Sequence, residues 1–466
     1  MHNDELDLKY ISETGKIINK LSINISKKYS HINFNGSIQR DLYVAARINL
    51  KLREFYKDFK TKNLKKRYVF FTQLSYLIAN QIKLNHNLKI DIIFDFNIKS
   101  IIKNKIFSSF NFLNKIKNLK IDQKEILFIT HPKKHKKYLL SIFGRKKKYE
   151  YFDSSDLERV SFFQQNYPYL KNDYFFINKY IKFANYLELL IEKFKPKAIV
   201  TVEGDNYFDA IIPIIAKKHK IKSFCLQWGI TAPLIRFISN SKFGYKNYFS
   251  HDYFFSWGKV FSKTLRTLNR KTNFIEVGNP QIKNGFNKKK GVLIIHCGFK
   301  KYDENNIHIN RNFYEYIKLL AKKYKKIPFV IRLNYEITSF EKRYFQEFVK
   351  FKNIKFEKPE NKNLSNSLKN KKIVISTTST TLIEGLASKC VPVCFPGKAY
   401  LKWFDKFNKM KIGGIVRNNS QGIKLFDKIY FSSKKHYFKH NNNIIKYLGN
   451  HSKREIISNI SKILDK

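Results

Sequence analysis

The sequence predicts an α/β protein: two domains, each a parallel sheet wrapped by helices, behind a mainly helical amino-terminal extension. Three observations predict it. Short apolar runs alternate with helix-period segments from "EILFITHP" (125–132) onward, the order of a parallel sheet and its crossovers. Those runs stop abruptly at polar residues or proline, as strands buried on both faces do at their carboxyl ends. A polar, basic link, "QIKNGFNKKK" (281–290), splits the alternation into two series. The expected layout is therefore a helical region over 1–120, a first Rossmann-like domain over 121–285 and a second, facing it, over 286–466.

The elements follow in order. Residues 1–120 carry helical periodicity, as in "DLYVAARINLKLREFYKDF", without clean strand and turn signals. After 125–132 comes a helix with Tyr180, Phe183, Tyr186, Leu187 and Leu190 on one face. "KAIVTVEGDN" (197–206), the helix "YFDAIIPIIAKKHK" and "SFCLQWG" (223–229) make a strand, helix and strand. "DYFFSWG" (252–258), a helix and "FIEVGNP" (274–280) continue the series. The second series runs "GVLIIHCG" (291–298), a helix near 311–324, "PFVIRLN" (328–334), a helix near 340–351 and "KIVIST" (372–377). Ligands of such sheets bind beyond the carboxyl ends of the strands, so the space between the two domains is the expected site.

Composition narrows the functional classes. The 466 residues carry 91 basic and 36 acidic side chains, a formal charge of +55. Such a charge ordinarily suggests nucleic acid or anionic membrane. Lys, Asn, Ile, Phe and Tyr are over-used together, however, as AT-rich coding would produce, and Lys outnumbers the Arg that base and phosphate readers favour. No nucleic-acid partner is expected. The runs "KKHKK" (133–137) and "GRKKKYE" (144–150) suit an anionic membrane surface or a solvated basic face.

Cys225, Cys297, Cys390 and Cys394 lie in or beside apolar runs, which fits core thiols in a reducing compartment. The start "MHNDELDLKY" puts acids where a signal peptide needs basic and then apolar residues. No segment supplies the roughly 20 apolar residues that cross a bilayer. The expectation is a cytoplasmic chain, soluble or peripheral at the inner membrane face, with no metal and no cofactor.

The candidate site centres on "ISTTSTTLIEGLASKCVPVCF" (375–395). Ser376, Thr378, Ser379, Thr380 and Thr381 fall between a strand and a helix, where orphan amides and small hydroxyls suit a diphosphate. Glu384, one turn on, reaches for a sugar or ribose hydroxyl. Plain helix capping explains the same residue types. Glu203 and Asp205, ending the strand "KAIVTV", are the first candidates for a general base, with His131 and then His251 behind them. Gln227 and Trp228 end another strand and suit an acceptor sugar ring.

"STTSTTLIEGLASKCVPV" resembles the S-x-S-T-x-x-x-E-(A/G)-x-x-x-G-x-P-V pattern in the carboxy-terminal domain of GT-B glycosyltransferases and their relatives. Those relatives include CDP-glycerol glycerophosphotransferases, surface-polysaccharide biosynthesis proteins and UDP-N-acetylglucosamine 2-epimerases. Lys389 stands where the pattern has glycine. "DYFFSWG", "VGNPQI" and "VIRLNY" resemble further motifs in the same order, with Lys283 replacing an acid and Asn334-Tyr335 replacing His-Pro. The resemblance implies a metal-independent GT-B transferase of bacterial surface-polysaccharide assembly. It would move a sugar or polyol phosphate from a nucleotide-activated donor to a glycan or lipid-linked acceptor. Thr378, Ser379 and Thr380 would hold the donor phosphates, Glu384 the ribose, and Arg332 the charge of the leaving phosphate. A 2-epimerase of nucleotide sugars and an inactive glycan- or lipid-binding scaffold are the alternatives.

Overall fold

The computed structural model describes residues 3–29, 38–39, 42, 50–70, 73–94, 122–130, 133–153, 177–202, 207–228, 251–268, 271–280, 290–296, 304–333, 345–358, 364–377, 379, 381–395, 413–432 and 453–465. They form two compact units. The first comprises 1–257, 261–277 and 452–466; the second comprises 258–260 and 278–451.

The first unit opens with helices α1 (Asn3–Tyr29) and α2 (Leu50–Lys60), strand β1 (Arg67–Phe70), helix α3 (Gln73–Asn85) and strand β2 (Asp91–Phe94). β1 and β2 pair in parallel through α3, so the amino-terminal region holds a small βαβ unit as well as helices. Strands of four residues, "RYVF" and "DIIF", carry too little period to stand out in sequence.

The main sheet follows: β3 (Ile126–Thr130), helix α4 (Lys133–Phe143), β4 (Tyr149–Asp153), helix α5 (Ile177–Phe194), β5 (Ala198–Val202), helix α6 (Tyr207–Lys218), β6 (Lys222–Leu226), β7 (Tyr253–Ser256), helix α7 (Lys259–Leu268) and β8 (Asn273–Glu276). Its order is β4-β3-β5-β6-β7-β8, all parallel. Helices must then cover both faces, which explains the unbroken apolar strands. In β3, Leu127 and Ile129 face one core while Ile126 and Phe128 face the other. Removing each such side chain from water contributes about 1.5–3 kcal/mol.

The first core also takes in Ile18, Leu52, Phe55 and Ile78, so the amino-terminal helices pack directly on the sheet. The second takes in Ile456 and Ile460 of the last helix, Lys453–Leu464. That helix therefore completes the first unit, not the 286–466 domain expected from chain order. Its i, i+4 isoleucines sit against Tyr138, Leu139, Ile142 and Phe143 of α4, which would otherwise face water.

In the second unit β9 (Gly291–Ile295), helix α8 (Glu304–Lys323), β10 (Phe329–Arg332), a helical turn at 345–349, β11 (Ile354–Glu357), helix α9 (Leu364–Leu368), β12 (Lys371–Ser376), helix α10 (Thr381–Ala387), β13 (Val391–Cys394), β14 (Gly414–Ile415) and helix α11 (Asn419–Phe431) occur in turn. The final helix, Lys453–Leu464, is α12. The sheet order is β11-β10-β9-β12-β13-β14, again all parallel. Counted within the unit this is 3-2-1-4-5-6, the doubly wound dinucleotide-type order. Its core joins β9 and β10 to α8 and α11 through Val292, Ile294, Phe329, Leu320 and Phe426. Among the described residues no helix is long and apolar enough to cross a membrane.

Candidate functional site

In each unit the strand order reverses once, between neighbours whose helices leave for opposite faces. In doubly wound sheets such a reversal is where ligands bind, beyond the carboxyl ends of the strands. In the second unit the reversal lies between β9 and β12, and β12 runs straight into the hydroxyl-rich segment. Register sets Ile295, Arg332 and Ser376 in one row at that edge, with Glu357 beside Arg332.

Arg332 is buried, only 6% exposed. Its Nη1 donates to Glu357 Oε1 at 2.6 Å and to Ser367 Oγ at 3.0 Å, and Ser367 Oγ also donates to Glu357. The guanidinium expected to meet a leaving phosphate is thus anchored by a carboxylate and a hydroxyl. Glu357 and Ser367 were not legible as partners in the sequence. The available signal was positional, since Glu357 ends the strand next to the one Arg332 ends.

Glu384 sits in the first turn of α10. Burial pushes its carboxyl up from 4.5 to about 7, against the opposing pull of a hydrogen bond from Thr381 and the charge of Arg332. A carboxyl that titrates near neutrality beside a buried guanidinium is a functional-site signature, although structural networks produce it too. The close seat of α10 has a simple cause. A Cβ on Gly385 would lie 2.8 Å from Val374 Cγ2, so only glycine lets the helix lie this near β12.

The hydroxyls divide between roles. Ser376 is fully buried and its Oγ donates to the Ile295 carbonyl at 3.3 Å, closing the gap between β12 and β9. Ser379 Oγ accepts from the Thr381 amide at 3.1 Å, capping α10. Thr381 is also buried. Thr378 and Thr380 lie outside the described residues. Beside this row His296 follows β9; its amide donates to the Arg332 carbonyl at 3.0 Å and its Nδ1 meets the Tyr314 hydroxyl.

In the first unit the reversal falls between β3 and β5. His131 follows β3, and Glu203 and Asp205 follow β5; all three lie outside the described residues. The strands that lead to them, ending at Thr130 and Val202, are direct neighbours. His251 is a core residue. Its Nε2 lies 3.1 Å from Thr201 Oγ1, its carbonyl accepts from Thr272 Oγ1 at 2.8 Å, and burial drives its pKa down from 6.5 to about 3.

Gln227 is likewise buried. Its Oε1 accepts from the Trp257 amide at 2.8 Å, its amide donates to the Phe255 carbonyl at 3.0 Å, and its carbonyl accepts from Tyr138. The side chain expected at an acceptor is occupied in joining β6 to the end of β7. Trp228 is half-buried, its ring 5.1 Å from that of His135 and 4.9 Å from that of Tyr138. Cys225, Cys390 and Cys394 are buried and form no disulfide, as expected of core thiols; Cys297 lies outside the described residues.

No family profile and no curated protein sequence matches the chain. Solved structures do. MnaA of S. aureus, solved with UDP, is 15% identical with a TM-score of 0.52, over 74% of this chain and 97% of that one. The UDP-GlcNAc 2-epimerase from Neisseria meningitidis bound to UDP-GlcNAc is 15% identical with a TM-score of 0.49, over 72% and 99%. Phytolacca americana UGT2, complexed with UDP-2fluoro-glucose and pterostilbene, is 8% identical with a TM-score of 0.49, over 73% and 99%. With two parallel α/β units and the likeness to MnaA, the chain has a GT-B-like fold.

Proposed function

We propose that this protein is a metal-independent transferase that uses a nucleotide-activated sugar or polyol donor. Its acceptor is a glycan or lipid-linked intermediate of bacterial surface-polysaccharide assembly. The observation that carries the reading is buried Arg332, held by Glu357 and Ser367 and near enough for its charge to act on Glu384, at the reversal point of a 3-2-1-4-5-6 sheet. Departure of a nucleotide builds negative charge on phosphate, and a fixed guanidinium opposes it without reorganising. Glu357 and Ser367 fix Arg332 for that task. Glu384 takes the ribose hydroxyls, and Thr378, Ser379 and Thr380 line the diphosphate. Glu203 or Asp205, with His131 as the next choice, removes the acceptor proton. Trp228 offers the acceptor the part of its ring that packing leaves uncovered.

UDP is the first nucleotide to test, because MnaA was solved with it. Isothermal titration with UDP, CDP, GDP and CMP should give one preferred nucleotide, and Glu384→Ala should weaken that binding by about tenfold or more. Incubation with the matching nucleotide sugar then separates two chemistries. A transferase releases nucleotide in proportion to added acceptor, whereas an epimerase changes the sugar with no acceptor present. Absence of binding to every nucleotide would overturn the proposal.

A further inference from the structure

A face of the second unit carries charge and apolar surface that the transferase reading does not use. All its strands are parallel, so one edge of the sheet collects the turns that lead into them, opposite the edge that holds Arg332 and Glu384. Exposed lysines crowd those turns: Lys290 before β9, Lys325 and Lys326 before β10, Lys350 and Lys352 before β11, and Lys369 before β12. Hydrogen bonds make the turns one surface. Asn353 Nδ2 donates to the carbonyls of Ala321 at 3.1 Å, Tyr324 at 3.0 Å and Ile327 at 3.3 Å. The Tyr430 hydroxyl donates to the Lys290 carbonyl at 2.5 Å, and Lys372 Nζ donates to the Tyr430 carbonyl, fastening the end of α11 to the same edge.

Two large apolar side chains stand out from this basic surface. Phe431, at the end of α11, is 66% exposed with Tyr324 and Tyr430 beside it, and Val349 is 74% exposed. Two nearby acids are ion-paired: Asp427 with Lys323 at 2.9 Å, and Glu347 with Lys318 at 2.5 Å, a lysine that Glu315 shares at 2.6 Å. Lys389, in the turn before β13, holds a φ of 59°, where glycine or asparagine would be less strained. Protruding apolar residues with flanking tyrosines and lysines match a bilayer interface, where rings enter the headgroup level and ammonium groups meet anionic lipid.

We propose that the amino-terminal edge of the second sheet docks on an anionic lipid bilayer. Every cation named on it is lysine, a compact point charge suited to headgroups, not the planar arginine fork that nucleic-acid readers favour. The inference is independent of the donor site, which lies at the other edge. Attachment there holds the enzyme at the membrane while leaving the carboxyl edge uncovered.

Flotation of the full chain with vesicles tests this. It should rise with vesicles of mixed phosphatidylcholine and phosphatidylglycerol, not with phosphatidylcholine alone. Binding should fall by more than tenfold between about 0.1 M and about 1 M salt, as the screening length shrinks from about 10 Å to about 3 Å. Lys325→Gln with Lys326→Gln should weaken binding about 25-fold, from about fivefold per lysine near an anionic surface. Phe431→Ser should weaken it without changing the salt dependence. Lys217→Gln with Lys220→Gln, in the first unit, should leave it unchanged. Circular dichroism and melting temperature establish that each variant is folded, and the lysine pair suffices if Phe431→Ser does not fold. Three results would overturn the proposal: binding that the edge variants do not alter, displacement from vesicles by a single-stranded oligonucleotide, or self-association that Phe431→Ser abolishes while no vesicle binding is seen.

Discussion

Glu384 gives the sharpest prediction, because its titration couples the candidate site to the stability of the second unit. Below pH 4.5 the carboxyl is protonated in folded and unfolded chains alike. Between 4.5 and about 7 the folded chain still holds a proton that the unfolded chain has released. Stability must therefore fall as pH rises through that window and stay low above it. At about 1.4 kcal/mol per pH unit, the interval from 4.5 to about 7 is worth about 3 kcal/mol. Glu384→Gln removes the ionisation while keeping shape and a hydrogen-bonding head. The variant should match the parent near pH 4.5 and exceed it by up to about 3 kcal/mol near pH 8. Cys390 and Cys394, buried in the same unit, supply a local probe. Their labelling by a thiol reagent under native conditions reports opening, read by peptide mass spectrometry. Comparing variant and parent at one pH cancels thiol ionisation, and the expected gain in protection near pH 8 is about two orders of magnitude. A ratio that does not change with pH, or a variant that opens faster near pH 8, would refute the assignment of a half-buried, charge-averse carboxyl.

Three further outcomes are expected. Arg332→Ala leaves Glu357 without its cation and should cost about 3–5 kcal/mol of stability in the second unit, measured by the same labelling. His251 is held neutral in the folded chain, so the first unit should lose stability as pH falls from 6.5 towards about 3; His251→Gln should flatten that loss in Cys225 labelling. Ile460→Ala should cost about 2–5 kcal/mol and release Cys225 before Cys390, because α12 serves the first core; the reverse order would place the helix with the second unit.

The strands of the two main sheets were legible where the chain writes them as unbroken apolar runs ended by polar residues. "KAIVTV" and "KKIVIS" are such runs, and parallel strands covered on both faces require them. β4, "YEYFD", was not legible: it is an outermost strand, its residues only partly buried after the first, so its composition stays mixed. The helical reading of 1–120 missed β1 and β2 for a related reason, since a four-residue strand is too short to show a period.

The sequence by itself determined the strand-to-helix order, the division into two α/β units and the position of the hydroxyl-rich segment at a strand's carboxyl end. Each of these is local, written in apolar runs, helix-period faces and small polar residues within a few positions of one another. Only the tertiary structure decided which side chains share charge. Arg332 meets Glu357 across 25 positions and Ser367 across 35, contacts that strand register creates and no local pattern encodes. It likewise decided that Gln227 is occupied by the Trp257 amide and that α12 returns to the first core. A hydrogen bond or an apolar face can be satisfied by whatever the fold brings near, so the identity of the partner belongs to the packing, not to the chain order.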